Sequence, residues 1–237
     1  MLDPTRTIII GDIHGCLEEF DELLKTVQYA PATDRLISVG DLLDRGMYSV
    51  GVVRRCRELD VAAVMGNHEY QFLRRWKGNK FLDARSYDNE LNDDDVAYIN
   101  RMSHYIALND KFWITHAGVK PGVPIEKQKR DDLLFLRYTD KNREFLSLKK
   151  VFKDKVPAMF WTEFGPFDAS VVYGHNVWSM DDVKIDKFDD GTVCYGIDTG
   201  CCFGGKLSAL VLAADKEPEI VQVKAKEVYY TSKFMDL

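Results

Sequence analysis

The first third of the chain alternates short apolar runs with amphipathic segments. β-Branched apolar runs at 7–10, 35–39 and 61–65 each lead to a glycine, a pattern typical of buried strands. Between them, apolar residues recur at helical spacing from Cys16 to Tyr29 and from Val50 to Leu59. This order of strand, helix, strand, helix and strand predicts an α/β unit with parallel strands.

The rest of the chain is less regular. Residues 70–95 are expected to be helical and rich in loops, and they contain no recognisable motif. His104–Ala107 and Lys111–Thr115 flank Asn109-Asp110, which predicts a hairpin. Further short strands are predicted at 170–173, 192–197, 207–213 and 220–223. These later strands favour a second, more antiparallel sheet packed against the first, within a single domain spanning residues 1–237.

A polar cluster follows each of the first three predicted strands. The clusters read GDIHG at 11–15, GDLLDRG at 40–46 and GNHE at 66–69. Because ligands bind beyond the carboxyl ends of strands in open α/β sheets, three clusters at such ends are expected to meet at one site.

The side chains in and near these clusters have the chemistry of a metal centre. The candidate ligands are Asp12, His14, Asp41, Asn67, His116 and His175. Carboxylate, amide and imidazole ligands together suit a pair of divalent transition metals, and a carboxylate such as Asp41 can bridge two ions. Taken singly, each aspartate is more simply a turn former and each histidine a satisfied polar residue. Their joint placement beyond strands favours the metal centre.

Composition narrows the classes of function. The chain has 237 residues, of which 46% are hydrophobic and 30% charged, as in soluble globular proteins. The net charge of -6 disfavours binding of duplex nucleic acid, and no apolar stretch is long enough to cross a membrane. The five cysteines are irregularly spaced, so no disulfide framework is expected and a cytoplasmic location is predicted.

The three ordered motifs resemble the GDxHG, GDxxDRG and GNHE signature of the phosphoprotein phosphatase family of calcineurin-like metallophosphoesterases. The resemblance implies an α/β fold with two packed mixed β-sheets flanked by helices, in α-β-β-α layers. It also implies phosphoester or phosphoanhydride hydrolysis with two divalent metal ions, Mn²⁺ first, with Fe, Zn, Co or Ni as alternatives.

The resemblance assigns roles to individual residues as well. The first ion would be held by Asp12, His14 and Asp41, and the second by Asp41, Asn67, His116 and His175. Arg45, Arg137 and Asn67 would bind the substrate phosphate, and His68, oriented by Asp44, would protonate the leaving oxygen. The simpler interpretations are a surface ion pair for Arg45 and the polar face of a helix for Arg137.

The C-terminal half points to a nucleotide substrate. Segments 160–167, 173–175 and 196–210 resemble symmetrical diadenosine tetraphosphatases and the ApaH-like phosphatases. This implies hydrolysis of dinucleoside polyphosphates, with diadenosine tetraphosphate giving ADP. Asp44 instead resembles the protein phosphatases, so a serine/threonine phosphatase acting on a phosphoprotein is the alternative, with a broad phosphomonoesterase between them.

Other polar and aromatic residues allow simpler interpretations. The aromatic residues Trp161, Phe164, Phe167 and Phe203 are each more simply part of the core than an adenine platform. The acidic run 92–95 is predicted to cap a helix rather than bind calcium. Asp198 and Lys206 receive no role. A non-catalytic relative would have lost a ligand, Arg45 or His68, and all are present.

Overall fold

The computed structural model describes residues 4–78 and 83–231. The strands are β1 (Arg6–Ile10), β2 (Asp34–Ser38), β3 (Ala62–Ala63), β4 (Tyr105–Leu108), β5 (Phe112–Thr115), β6 (Tyr138–Thr139), β7 (Phe145–Leu146), β8 (Met159–Phe160), β9 (Ser170–Tyr173), β10 (Lys184–Lys187), β11 (Val193–Gly196), β12 (Lys206–Ala213) and β13 (Glu219–Lys224). The α-helices are α1 (Leu17–Thr26), α2 (Ser49–Glu58), α3 (Asn67–Trp76), α4 (Asp93–Asn100) and α5 (Arg130–Phe135). Short 3₁₀ helices include Ser86–Asn89 and Cys201–Phe203.

The first sheet has the strand order β13-β12-β1-β2-β3. Strands β1, β2 and β3 are parallel, with α1 and α2 as their connections, so the predicted α/β unit is confirmed. Strand β3 is shorter than predicted, because beyond Ala63 only Val64 keeps a bridge, to Ser103.

The second sheet has the order β10-β11-β9-β5-β4. It has two parallel and two antiparallel strand pairs, as the first sheet does, so the prediction of a more antiparallel second sheet was wrong. The predicted hairpin is confirmed as the antiparallel pair β4 and β5, while β5, β9 and β11 are parallel to one another. The assignment of 207–213 and 220–223 to this sheet was wrong, because β12 pairs with β1 in the first sheet and β13 pairs with β12. The physical reason is that β12 is apolar on both faces, with Leu207 against the helical layer and Leu210 between the sheets.

Three hydrophobic layers hold these elements together. Ile9 and Ile37 of the first sheet meet Val172 of the second in a buried layer between the sheets. Phe20 of α1 and Phe72 of α3 belong to the cluster that covers the outer face of the first sheet. The outer face of the second sheet is covered by α5, the loops around it and a small sheet of order β7-β6-β8. The fold of two packed mixed sheets flanked by helices is therefore confirmed.

Two simpler interpretations of the sequence hold as well. Trp161 and Phe167 are buried in the cluster on the outer face of the second sheet, as core residues are. The Asn92 side chain accepts a hydrogen bond from the Asp95 N–H at 3.0 Å, so the acidic run caps α4. Among the described residues, none of the helices combines the length and apolar character that crossing a bilayer requires.

Candidate metal centre

The loops that follow five strands bring the six candidate ligands to one edge of the two sheets. Asp12 follows β1, Asp41 follows β2, Asn67 follows β3, His116 follows β5 and His175 follows β9. His14 lies two residues beyond Asp12 in the β1 loop. These residues are far apart in sequence, but they lie close together in space because their strands are parallel and end at the same edge.

Sharp backbone turns aim these side chains inward. His14, Asp41 and His175 have positive φ angles of 45°, 52° and 68°, a conformation that costs about 1–3 kcal/mol for a residue with a side chain. Gly174 allows the closest approach, because a Cβ there would lie 1.9 Å from Oδ1 of Asp12. Such strain persists only where surrounding contacts enforce it.

One group of ligand atoms surrounds His116. Its Nδ1 lies 2.9 Å from the Val39 carbonyl and must donate to it, so Nε2 carries a lone pair. That lone pair faces Oδ1 of Asn67 at 3.0 Å, Oδ1 of Asp41 at 3.4 Å and Nδ1 of His175 at 3.1 Å. Because Asn67 and Asp41 offer only oxygen acceptors here, the arrangement is repulsive unless a cation lies among them. The donor set therefore fits a metal ion.

A second group surrounds His14. Its Nδ1 donates to the Leu43 carbonyl at 2.7 Å, which leaves the Nε2 lone pair 3.5 Å from Oδ2 of Asp41. The ligand atoms of His14, Asp41 and His68 all lie within 4.8 Å of one another, as do those of Asp41, His116 and His175. Asp41 is shared by both groups, which is the position of a bridging carboxylate.

The charge of the site also calls for cations. Burial and the neighbouring carboxylates of Asp198 and Asp41 raise the pKa of Asp12 well above its usual range. Asp12 accepts the backbone N–H of His175 at 3.2 and 3.1 Å. Burial raises the pKa of Asp198 to about 6. Burial also lowers the pKa values of His14 and His175, which keeps both imidazoles neutral, as metal ligands must be.

His68 lies beside this centre in a chain of hydrogen bonds. Its Nδ1 donates to Oδ2 of Asp44 at 2.6 Å, and Oδ1 of Asp44 accepts from the Tyr87 hydroxyl at 2.5 Å and pairs with Arg85 at 3.2 Å. Burial works to raise the pKa of Asp44, but the hydrogen bond and charge of His68, together with Tyr87 and Arg85, outweigh it and lower that pKa to about 2. Burial works to lower the pKa of His68, but Asp41 and Asp44 outweigh it and raise that pKa.

Both predicted phosphate-binding arginines reach the centre. Arg45 lies 2.6 Å from Nε2 of His14 and 3.3 Å from Nε2 of His68, and its guanidinium lies over the Phe203 ring at 5.0 Å. Arg137 donates from Nη2 to the His175 carbonyl at 2.8 Å. A surface ion pair for Arg45 and a helix face for Arg137 are therefore both wrong, because each side chain is directed into the site.

Sequence reasoning missed three residues that shape the centre. The Glu69 carboxylate accepts the backbone N–H groups of Asp41, Leu42 and Leu43 at 2.8, 2.9 and 3.0 Å, and so holds the loop after β2. Glu69 could have been identified from the sequence, because it is the last residue of the GNHE motif. Tyr87 and Arg85 lie in the segment without a motif, and no local pattern announced their contacts with Asp44.

Comparison with known proteins agrees with this geometry. A family model described as calcineurin-like phosphoesterase matches residues 5–209. The chain is 29% identical to the asymmetrical bis(5′-nucleosyl)-tetraphosphatase PrpE of Oceanobacillus iheyensis, with 96% of each chain covered. It is 30% identical to a symmetrical bis(5′-nucleosyl)-tetraphosphatase of Erwinia tasmaniensis, covering 86% of this chain and 93% of that protein. A crystal structure of a candidate diadenosine tetraphosphatase superimposes with a TM-score of 0.80 at 27% identity, covering 94% and 96% of the two chains.

Proposed function

The chain belongs to the calcineurin-like phosphoesterase family, and we propose that it hydrolyses a phosphoanhydride bond of dinucleoside polyphosphates with two divalent metal ions. The observation that carries the proposal is the Asp41 carboxylate shared between two groups of inward-facing ligands. The names of the relatives above supply the substrate class, since both act on bis(5′-nucleosyl) tetraphosphates.

The proposed ligands combine the two groups with the family resemblance. His14 and Asp41 would hold one ion together with Asp12, whose carboxylate accepts the backbone N–H of His175 at the same centre. The other ion would be held by Asp41, Asn67, His116 and His175. His68, the third member of the group around His14, is left for proton transfer. The mixture of oxygen and imidazole ligands suits Mn²⁺, with Fe, Zn, Co or Ni as alternatives. When bound, such a pair of ions stabilises negative charge on phosphate oxygens and lowers the pKa of water.

The protein's own side chains would do the rest of the work. Arg45 and Arg137 reach the centre from two directions and would bind phosphate oxygens, for which the guanidinium fork is well matched. Asn67 would contribute to the same phosphate site. His68, held by Asp44, would donate its proton to the leaving oxygen. The raised pKa of His68 favours the protonated form that this step needs.

Product analysis tests the proposal. The protein is incubated with diadenosine tetraphosphate and MnCl₂, and nucleotides are separated by anion-exchange chromatography. Two equivalents of ADP would establish symmetrical cleavage, and AMP with ATP would establish asymmetrical cleavage. The Asp41→Asn variant, which keeps the size of the shared residue but removes its charge, is the matched control for activity from a contaminant. No nucleotide product from the wild-type protein would refute the proposal.

One observation favours a second candidate function. The short hydrogen bond between His68 and Asp44 suits a poor leaving group, since an alkoxide needs a proton more than a phosphate does. We therefore propose phosphomonoester hydrolysis, including that of phosphoserine or phosphothreonine in proteins, as the alternative. Phosphate release from a phosphoserine peptide, without any cleavage of diadenosine tetraphosphate, would establish it.

The cysteines bear on the proposed cytoplasmic location. All five are buried, and no disulfide joins them within the described part of the chain. Buried thiols of this kind suit a reducing compartment.

A further inference from the structure

A cavity of about 430 Å³ opens beside the metal centre. Its lining residues are Asp131, Asp132, Phe135, Arg137, Phe145, Leu146, Ser147 and Leu148. Pockets for small organic ligands typically have volumes of about 300–1,000 Å³ and mostly apolar walls with a few polar groups. This cavity has that size and that character, and none of its lining residues except Arg137 belongs to the proposed catalytic machinery.

Arg137 connects the cavity to the site of chemistry. The end of its side chain donates to the His175 carbonyl at 2.8 Å, and the charge of Asp198 acts on the same guanidinium. The same side chain forms part of the cavity wall. A phosphate bound at Arg137 would therefore lie next to the cavity.

The cavity walls favour a flat, apolar group. Phe145 and Leu148 keep 41% and 42% of their surface exposed, which is costly for large apolar side chains unless they serve to contact a ligand. Phe135 also lines the cavity, and its ring packs against Tyr70 at 6.4 Å between centroids. An aromatic ring held by neighbours is a suitable surface for stacking a base.

Negative charge at the cavity wall favours entry of the nucleoside over entry of the polyphosphate. Asp132 places a carboxylate at the cavity that repels a polyphosphate chain, whereas the carboxylate of Asp131 is paired with Arg130 at 2.9 Å. The Asp132 carboxylate can accept a hydrogen bond from the amino group of a base or from a ribose hydroxyl. The polyphosphate is thus directed to the arginines and the uncharged nucleoside to the cavity.

We infer that this cavity binds one nucleoside of the substrate, with the base against the aromatic side chains of its wall and the adjoining phosphate at Arg137. The inference rests on the proposed function, because it assigns the nucleoside site for the substrate class proposed above. It adds a specificity site made of residues outside the three motifs.

Two variants and one control test the cavity by hydrolysis. Phe145→Ala and Leu148→Ala each remove an exposed apolar side chain from the cavity wall, and Phe152→Ala removes a ring of equal size that is 49% exposed and lies outside the cavity. KM is measured for diadenosine tetraphosphate and for inorganic tripolyphosphate, which has no nucleoside. We expect Phe145→Ala to raise the first KM by about 10-fold, given the usual effect of losing a stacked ring, and to leave the second unchanged.

A binding measurement separates failure of the cavity from failure of the proposed function. Adenosine 5′-monophosphate and ribose 5-phosphate are titrated calorimetrically into the wild-type protein and the same variants. We expect the nucleotide to bind more tightly than the sugar phosphate, and Phe145→Ala but not Phe152→Ala to abolish that difference. This result would support the cavity even if the wild-type protein cleaved no dinucleotide. Equal binding of the two ligands, or equal KM values in all variants, would overturn the inference.

Discussion

Replacing Asp44 by asparagine tests whether the hydrogen bond to His68 serves protonation of the leaving group. Asparagine keeps the size of the side chain but cannot stabilise a positively charged imidazole. The Asp44 pKa of about 2, compared with about 3.9 for an ordinary aspartate, corresponds to about 2.5 kcal/mol of interaction with the ionised carboxylate. His68 supplies the two largest of the favourable contributions, ahead of Tyr87 and Arg85. Loss of about 2 kcal/mol in the transition state, which is most of this net interaction, corresponds to about 30-fold in rate.

The effect should depend on the substrate. Phenyl phosphate releases a phenol with a pKa of about 10, like that of tyrosine, and so needs an acid. Diadenosine tetraphosphate releases a phosphate whose own pKa is about 6, and so needs one much less. We expect Asp44→Asn to lower kcat by about 30-fold on phenyl phosphate and by less than about 3-fold on diadenosine tetraphosphate.

The assay compares initial rates with saturating substrate and Mn²⁺ at one pH. Asp88→Asn is the matched control, since Asp88 lies in the neighbouring 3₁₀ helix and pairs with Arg75 instead of His68. Equal losses on both substrates in Asp44→Asn would show that Asp44 only supports the loop, and our assignment of His68 would then lose its main argument.

Further expectations concern the same centre. His68→Asn should lower kcat on phenyl phosphate by about 10²–10⁴-fold, and an unchanged rate would remove His68 from the mechanism. Asp41→Asn should lose both metal ions, so two ions per chain in this variant, measured by elemental analysis after gel filtration, would contradict its bridging position. Tyr87→Phe should remove a hydrogen bond to Asp44 and lower kcat on phenyl phosphate more than on diadenosine tetraphosphate. A change in KM alone would argue against a role of Tyr87 in positioning Asp44. Because the pKa of Asp44 is lowered on folding, its stabilisation is present above about pH 4 and is lost as the pH falls towards 2. The free energy of unfolding of the metal-free wild-type protein should therefore exceed that of Asp44→Asn by about 2 kcal/mol at pH 6, with the gap closing between pH 4 and pH 2 in denaturant titrations; a constant gap would contradict this account.

The sequence predicted the centre better than the sheets that carry it. The three motif clusters mark the ends of predicted parallel strands, which placed Asp12, His14, Asp41 and Asn67 together. His116 and His175 follow strands in the less regular part of the chain, and the family resemblance was needed to assign them to the same centre. The partner of a strand is not a local property. The segment 207–213 has the same apolar pattern whether it joins β1 or the second sheet, and only packing on both of its faces decides the matter.

The same limit explains the residues that were missed. Tyr87 and Arg85 contact Asp44 across more than forty positions of sequence, in a segment whose own pattern predicts only helix and loop. Asp198 received no role because its burial beside the arginines depends on how β11 and β12 are joined. Long-range contacts of this kind require the assembled fold.

The hydrogen bonds from three successive backbone amides to Glu69 restrict the motion of the loop after β2. Loops usually exchange their amide hydrogens with solvent quickly, because their hydrogen bonds open without disturbing the core. Here the amides of Asp41, Leu42 and Leu43 are bonded to a buried carboxylate on α3, whose first turn must separate from the loop before they open. The amide hydrogens at these three positions should therefore exchange as slowly as those of a central strand. The loop that carries Asp41 is then as rigid as the sheet beneath it.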